Sequence, residues 1–286
     1  MSQTASAIVG MDRLSRHDFS RLARFIHDYS GIKVPPSKKT MVEGRLRRRV
    51  AANRFGSLDQ YCRYLFDEDG LRNETIHLID VITTNKTDFF REPNHFDFLV
   101  ETAIPEILGT SRRQGEPVKV WSTASSIGAE PYTLAMVLQD ASEQGHRFRF
   151  NILATDISTQ VLETAIAAIY PREMIAPVPM DMRHRYLLRS RDKGRGLVRI
   201  GPDLRKLVRF GRLNLMDTSY PVDQDMDVIF CRNMLIYFEK PTQQIVLSKL
   251  CDHLKPGGFL FLGHSESLAG LSLPLTPVGP TVFRRD

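Results

Sequence analysis

The sequence predicts an α/β protein: a mostly parallel sheet covered by helices, preceded by an all-helical segment and interrupted by a small antiparallel insertion. Three observations predict it. No strand pattern occurs before residue 115. Beyond it, short apolar runs alternate with helical stretches, as in sheets built from crossover connections. Between Arg183 and Arg205, RYLLRS and GLVRIG flank the polar run RDKGRG, a hairpin pattern that breaks the alternation.

In the helical segment, Ser15 followed by Asp18 reads as a capping box. Phe19, Leu22, Ile26 and Tyr29 keep helical spacing, and Gly31 is a stop signal. After Pro35-Pro36 a second helix is expected over about 40–54, with Val42, Leu46 and Val50 as its buried stripe. Arg45, Arg48 and Arg49 fall on one flank of that helix, Arg47 and Arg54 on the other. Gly56 ends it, and two more helices are expected over about 58–66 and 71–82. In the second part VKVWS (118–122), FNILATD (150–156), LVRFGRLNL (207–215), DVIFCRN (227–233) and FLFLG (259–263) read as strands. Helices are expected over about 130–144, 157–169 and 240–254. The division that follows is a helical domain over 1–85 and an α/β domain over 86–286, with the insertion at about 183–206.

Composition bounds the function. A chain of 286 residues, 42% hydrophobic, buries enough surface to fold without a metal or disulfide staple. No apolar run approaches the ~20 residues that span a bilayer. The start, MSQTASAIVGMDRLSRHDF, lacks the basic-then-apolar pattern of a secretory signal. Cys62, Cys231 and Cys251 are too scattered for a disulfide scaffold or a zinc site, so a reducing cytoplasm and no metal are expected. Residues 1–70 hold thirteen Lys and Arg against eight Asp and Glu, so most of the net charge of +6 is N-terminal. That surplus reads either as an ordinary solvated face or as a surface for an anionic partner.

An open parallel sheet binds its ligand at the carboxyl ends of its strands. Three polar clusters converge there. WSTASSIGAEPYTLAM (121–136) is a strand, a loop of small residues and a helix opening at Glu130-Pro131; it is either a ligand loop or an ordinary turn. It has no GxGxxG and no Walker lysine, which argues against cradling a triphosphate. Asp156, ending a strand, is either a ribose acceptor or a helix cap. FCRNMLIYF (230–238) embeds Arg232, Asn233 and Tyr237 in an apolar run, as a site or as a turn with a left-handed Asn233. TTNKTDFFREP (83–93), joining the two parts, is either a capping linker whose Phe89 and Phe90 dock in a core, or a lid carrying Asn85, Thr87 and Arg91 to the ligand.

TTNKTDFFREP, WSTASSIGAEPY, ATDIS, LNL, FCRNMLIYF and LKPGGFLFLGHSE occur in the order and approximate spacing of the CheR family, which the chain resembles from about residue 14 to 283. These are chemotaxis-receptor methyltransferases. The resemblance implies a Rossmann-like class I fold that uses S-adenosyl-L-methionine, yields S-adenosyl-L-homocysteine, and methylates receptor glutamates. It implies that Asn85, Thr87 and Arg91 touch the methionine end of the cofactor, Glu130 its amino group, Asp156 its ribose, and Asn214 and Leu215 its adenine. Asn233 and Met234 would lie below the reacting end, with Arg232 and Tyr237 nearby. The acceptor would be the acidic helical signalling domain of a chemoreceptor, docked against Arg45, Arg48 and Arg49; Ala51 stands where relatives often carry another arginine. The insertion resembles a β-subdomain that in some members grips a receptor's C-terminal pentapeptide. A cytoplasmic monomer without nucleic-acid or membrane partners is expected.

A glutamate carboxylate, with a pKa near ~4.3, is already an anion at neutral pH. No general base is then needed, consistent with the lack of any Ser-His-Asp, Cys-His or paired-carboxylate pattern. Arg91 or Arg232 is expected to orient the carboxylate, and Tyr237 to pack or hydrogen-bond beside the transferring methyl. Two rival readings are a nucleic-acid methyltransferase and an adaptor that has lost the cofactor. RNMLIYF lacks the proline pair of the first rival, and the retained Glu130, Asp156 and Arg91 argue against the second.

Overall fold

A computed structural model describes residues 12–109, 115–145, 147–190, 192, 194 and 196–286. The first eleven residues of the segment read as no secretory signal, and Arg191, Lys193 and Arg195 of the expected hairpin tip, lie outside the described residues. The chain divides into two compact units, 1–83 and 84–286.

Among the described residues the first unit holds four α-helices: α1 (Arg16–Ser30), α2 (Lys39–Ala52), α3 (Leu58–Asp67) and α4 (Leu71–Ile82). Ser15 caps α1, its hydroxyl oxygen accepting from the Asp18 N–H at 2.9 Å. Gly31 ends the helix in the left-handed region, φ 73°. Leu22, Ile26, Val42, Leu46, Leu58 and Leu78 are almost wholly buried in one apolar core. The hydroxyl of Tyr61, at its edge, donates to Glu74 at 2.8 Å.

The second unit begins with α5 (Asn94–Phe98), a π-helical turn (Leu99–Ala103) and α6 (Ile104–Gly109), none of which the sequence reading identified. Then come β1 (Val118–Thr123), α7 (Ala129–Gln144), β2 (Phe150–Asp156), α8 (Thr159–Ala167), β3 (Ile169–Pro171), α9 (Met180–Tyr186), β4 (Leu187–Arg189), β5 (Leu197–Ile200) and α10 (Pro202–Arg205). The chain continues through β6 (Val208–Arg212), β7 (Met226–Cys231), α11 (Lys240–His253), β8 (Leu254–Leu262), β9 (Leu275–Gly279) and β10 (Val282–Arg285).

The main sheet has seven strands in the order β6-β2-β1-β7-β8-β10-β9. Pairing is parallel from β6 to β8 and antiparallel at β10. Strand order reverses between β1 and β7, which makes the carboxyl ends of these strands the switch point where open α/β sheets take their ligands. β1 and β7 are buried on both faces, so apolar residues dominate them around one charged position each, Lys119 and Asp227.

The insertion differs from the expected hairpin. It is a three-stranded antiparallel sheet, β3-β5-β4, and its extra strand is Ile169–Pro171. The helix expected to run to residue 169 stops at Ala167, because Ala168 turns left-handed at φ 54°. Arg183 to Tyr186, expected to lead into the first hairpin strand, instead belong to α9.

Candidate active site

The loop after β1 is shaped by backbone more than by side chains. Ala124 and Ser126 have positive φ, 51° in each, a conformation rare outside glycine and concentrated at functional sites. Gly128 lies at φ 91°, where an added Cβ would meet the Ala165 Cβ at 2.9 Å and the Tyr170 hydroxyl at 3.0 Å. Glycine is therefore required on both conformational and steric grounds. The Tyr170 hydroxyl donates to the Ile127 carbonyl at 2.7 Å, fixing the loop from the β3 side.

Asp156 holds this loop. One carboxylate oxygen accepts from the Ser126 N–H at 2.8 Å and the other from the Ser158 N–H at 2.9 Å. The cap of α8 is Ser158, not Asp156. The Ser126 hydroxyl donates to the Asn85 carbonyl at 2.9 Å, bringing residues 85, 126 and 156 together. The Leu213 N–H donates to the Asp156 carbonyl at 3.0 Å, so the turn carrying Asn214 and Leu215 joins the same rim. Both are buried, and the Asn214 side-chain oxygen accepts from the Met216 N–H at 3.0 Å.

A second group centres on Arg232, 7% exposed. Its Nε lies 3.0 Å from Glu130 Oε2, and its Nη2 donates to the Arg91 carbonyl at 2.6 Å. The Ser122 hydroxyl donates to the other Glu130 oxygen at 2.7 Å. Burial pushes the Glu130 carboxyl above the ordinary range, against the opposing pull of Arg232 and of the Ser122 hydroxyl. Phe89 is buried edge-on against Tyr170, and the Phe90 N–H donates to the Thr133 hydroxyl oxygen at 3.2 Å. The linker segment is thus bonded along the rim at Asn85, Phe90 and Arg91. Thr87 lies within this bonded stretch. The Arg91 side chain is 36% exposed.

Two carboxylates that the sequence reading assigned no role hold the loop after β7. Asn233 has φ 57°, the left-handed turn that the residue type suggested. Its side-chain N–H donates to Glu92 at 3.1 Å, and its backbone N–H to Glu266 at 2.9 Å. Glu266 also accepts from the backbone of Leu235 at 2.6 Å and Gly263 at 2.7 Å. Burial raises the Glu266 carboxyl, although several backbone N–H groups pull the other way. Burial also pushes Glu92 up, but the Asn233 bond and the Arg232 charge prevail and its carboxyl ends below the ordinary range. Glu92 lies in FFREP and Glu266 in GHSE, so their only sequence signal was membership of motifs. Met234 and Tyr237 lie half-buried on the loop these acids secure, with Ile236 between them 52% exposed.

Gly263 lets Asn233 approach. A Cβ there would sit 2.4 Å from the Asn233 side-chain nitrogen and 2.8 Å from its backbone nitrogen. Because Glu92 and Glu266 already bind Asn233, it has no free direction to yield. Gly263→Ala is expected to cost about 1–3 kcal/mol, as overpacking does, measured by chemical denaturation; an unchanged midpoint would show that the loop yields.

In the first unit, the three arginines on the flank of α2 separate. Arg45 donates to the carbonyls of Ile82 and, at 3.0 Å, Thr83, binding the end of α4. Arg49 forms a two-point pair with Glu74, 2.9 and 2.6 Å. Arg48 is exposed. Sequence periodicity gave the flank but not these partners, since α4 supplies them.

The second unit's rim therefore carries two acids, Asp156 on the β2 side and Glu130 on the α7 side. Ser125, in the loop between them, has a buried hydroxyl oxygen without a hydrogen-bond partner. That orphaned polar atom is what a site built for a polar ligand leaves behind.

Comparison with known proteins identifies the family. Residues 17–83 match the family model described as the CheR methyltransferase all-alpha domain, and residues 85–282 the one described as the CheR methyltransferase SAM-binding domain. The chain is 38% identical over 285 residues to the chemotaxis protein methyltransferase of Salmonella typhimurium, covering 98% of this chain and 95% of that one. It is 36% identical over 275 residues to the chemotaxis protein methyltransferase of Borreliella burgdorferi, covering 96% and 95%. It is 34% identical over 284 residues to chemotaxis protein methyltransferase 2 of Pseudomonas aeruginosa, covering 99% and 98%.

Proposed function

The chain belongs to the CheR methyltransferases, whose domain binds S-adenosyl-L-methionine, and from that premise we propose that it esterifies glutamate side chains on chemotaxis receptors. The observation that carries the proposal is the bonded rim at the sheet's switch point. Asp156, Ser126 and Asn85 are joined on one side, and Glu130, Arg232 and Arg91 on the other.

When bound, the cofactor supplies a methyl group on a positively charged sulfur and leaves as S-adenosyl-L-homocysteine. Asp156 takes the ribose hydroxyls and Glu130 the amino group. Asn85, Thr87 and Arg91 line the methionine end. Asn214 and Leu215 would hold the adenine, and Asn233 and Met234 would meet the reacting end. The acceptor carboxylate is ionised at neutral pH, so no base has to remove a proton. The chain's task is alignment of an in-line displacement, worth about 7–11 kcal/mol when fully realised, together with exclusion of water from the attacking oxygen.

Arg91 is the cation that orients the incoming carboxylate. Its side chain is partly exposed, whereas Arg232 is enclosed and committed to Glu130 and the Arg91 carbonyl. Arg232 therefore acts through its neighbours. Tyr237 lies half-buried on the loop that also carries Asn233, and with a cofactor bound its ring or hydroxyl would pack or hydrogen-bond beside the methyl group. Tyr237→Phe is expected to lower kcat about tenfold, the scale of one hydrogen bond to a charged group, at unchanged cofactor affinity; unchanged turnover under saturating substrate would remove the hydroxyl from the step.

The receptor's acidic helical face docks on α2, with Arg48 as the exposed contact. Complementary charge there governs on-rate and register. The open edge of the β3-β5-β4 sheet takes an extended receptor tail in those systems that have one. The protein works as a cytoplasmic monomer, and no helix of the described residues is long and apolar enough to cross a membrane.

The decisive assay incubates the protein with methyl-labelled S-adenosyl-L-methionine and receptor cytoplasmic fragments, then maps the modified residue. Base-labile label on glutamate supports the proposal. Label on nucleic acid instead, or no transfer despite cofactor binding, overturns it.

A further inference from the structure

His95 lies directly behind the rim and is 2% exposed. Its Nδ1 is 3.2 Å from Arg232 Nη1 and its Nε2 is 2.9 Å from the Thr281 hydroxyl. A guanidinium can only donate. Glu92 Oε2 also lies 3.5 Å from Nδ1, but the guanidinium is nearer, so Nδ1 presents its lone pair to it, and Nε2 carries the proton and donates to Thr281. Burial and the Arg232 charge lower the His95 pKa to about 4 against the pull of Glu92, so the ring is neutral at ordinary pH. The other titratable group facing it is His264, whose ring lies edge-on at 5.0 Å.

Two further features indicate that this arrangement is imposed. Thr281 sits in the turn between β9 and β10 at φ 54°. A β-branched residue in the left-handed region is an outlier, where glycine or asparagine would be unstrained. The position retains a hydroxyl despite that strain, and the hydroxyl meets His95. Arg232, for its part, lies over the Phe96 and Phe230 rings, 5.4 and 5.8 Å from their centroids. With Nη1 held by His95 and Nη2 by the Arg91 carbonyl, only Nε faces Glu130, close at 3.0 Å but without hydrogen-bond alignment.

Glu92, His95 and His264 also bring metal-ligand atoms within 4.8 Å of one another. A cation is disfavoured there, because both ring nitrogens of His95 are engaged and one faces a guanidinium.

We propose that His95 and Thr281 are positioning residues: Thr281 fixes the orientation of the imidazole, and the imidazole on Nη1, together with the Arg91 carbonyl on Nη2, holds the guanidinium so that only Nε approaches Glu130, leaving lone pairs of that carboxylate to the ligand's ammonium group. This rests on the reading of Glu130 as the acid that meets the cofactor's amino group. Without His95, Arg232 would be tethered only through Nη2 to the Arg91 carbonyl, and its guanidinium could swing about that bond toward Glu130 and compete with the ligand for the carboxylate.

Two amide substitutions of His95 separate this role from packing. His95→Asn places an amide oxygen where Nδ1 stood, able to accept from Arg232, whereas the longer side chain of His95→Gln reaches the Nε2 position and serves only Thr281. S-adenosyl-L-homocysteine titrations by calorimetry are expected to give His95→Asn and Thr281→Ser affinities within about twofold of the parent. His95→Gln and Thr281→Val are expected to bind about tenfold more weakly, as for loss of one charge-assisted hydrogen bond. Nitrogen-15 spectra of the parent's imidazole should show a neutral ring protonated at Nε2. Equal affinities for His95→Asn and His95→Gln, or a ring protonated at Nδ1, would overturn the proposal. If the parent binds no S-adenosyl-L-homocysteine, the reading of Glu130 fails, and the ring spectrum still decides the tautomer on its own.

Discussion

Replacing Asp156 with alanine is expected to weaken S-adenosyl-L-homocysteine binding by a hundredfold or more. Its carboxylate accepts the Ser126 and Ser158 N–H groups and is the acid proposed to take the ribose. Each hydrogen bond to a charged group contributes ~1.5–3 kcal/mol, so losing the ribose contacts and the loop's anchor together exceeds ~2.7 kcal/mol, two decades in affinity. Ser126 would lose its link to β2 while keeping its bond to Asn85, so the loop and the linker segment should loosen together. Asp156→Asn, which keeps one oxygen acceptor, is expected to fall between. Calorimetric titration of the two variants checks this, and parent-like affinity in Asp156→Ala would remove the residue from the binding site.

The second large effect concerns stability. Arg49→Leu is expected to destabilise the helical unit by about 3 kcal/mol, at the lower end for a broken buried pair because Arg49 is partly exposed. Glu74 is 3% exposed and would keep only the Tyr61 hydroxyl and its amide neighbours. Burial raises the Glu74 carboxyl, but the bonds from Arg49 and Tyr61 and the Arg49 charge outweigh it and hold its pKa below the ordinary carboxylate range. The stabilisation from the pair is therefore fully present above ~4.3, the unfolded value, and is lost as pH falls through the lower folded value. The difference between parent and variant should shrink on acidification. Removing Glu74 as well, in Arg49→Leu/Glu74→Leu, should recover much of the loss. Amide exchange in α2 and α4 as a function of pH measures all three. A parent-like Arg49→Leu would show that the pair contributes nothing. The same result bears on the proposed receptor docking: weakened binding after loss of Arg49 would report a disturbed unit, whereas charge reversal at the exposed Arg48 tests the proposed contact.

The sequence was most legible where burial was most complete. β2 runs over the seven residues read as a strand, and β1 and β7 lie within a residue or two of their expected ranges, because strands buried on both faces are mostly apolar, with Lys119, Asn151 and Asp227 each interrupting at the second position. β3 went unread because its three residues continue the apolar spacing of α8, and only the left-handed Ala168 separates them. β9 and β10 lie at the sheet's margin, where exposure alternates irregularly and β9 contains Pro277. At the rim, Asp156, Arg232 and Asn233 stood out as polar groups within apolar runs. Glu92 and Glu266 did not, because much of what they do is accept from loop groups far away in sequence, which periodicity cannot show. The flank of α2 illustrates the same limit: spacing placed Arg45 and Arg49 on one side, but their partners lie on another helix.

The bonds that close the rim join distant parts of the chain. Glu92 meets Asn233 across 141 positions and His95 meets Thr281 across 186, whereas Arg49 and Glu74 are 25 apart. Closing longer loops costs more chain entropy, and non-local pairings slow folding. During refolding the helical unit can therefore gain exchange protection while the rim is still open, and ligand competence arrives only after the β8–β10 pairing has carried Thr281 to its place beside residue 95.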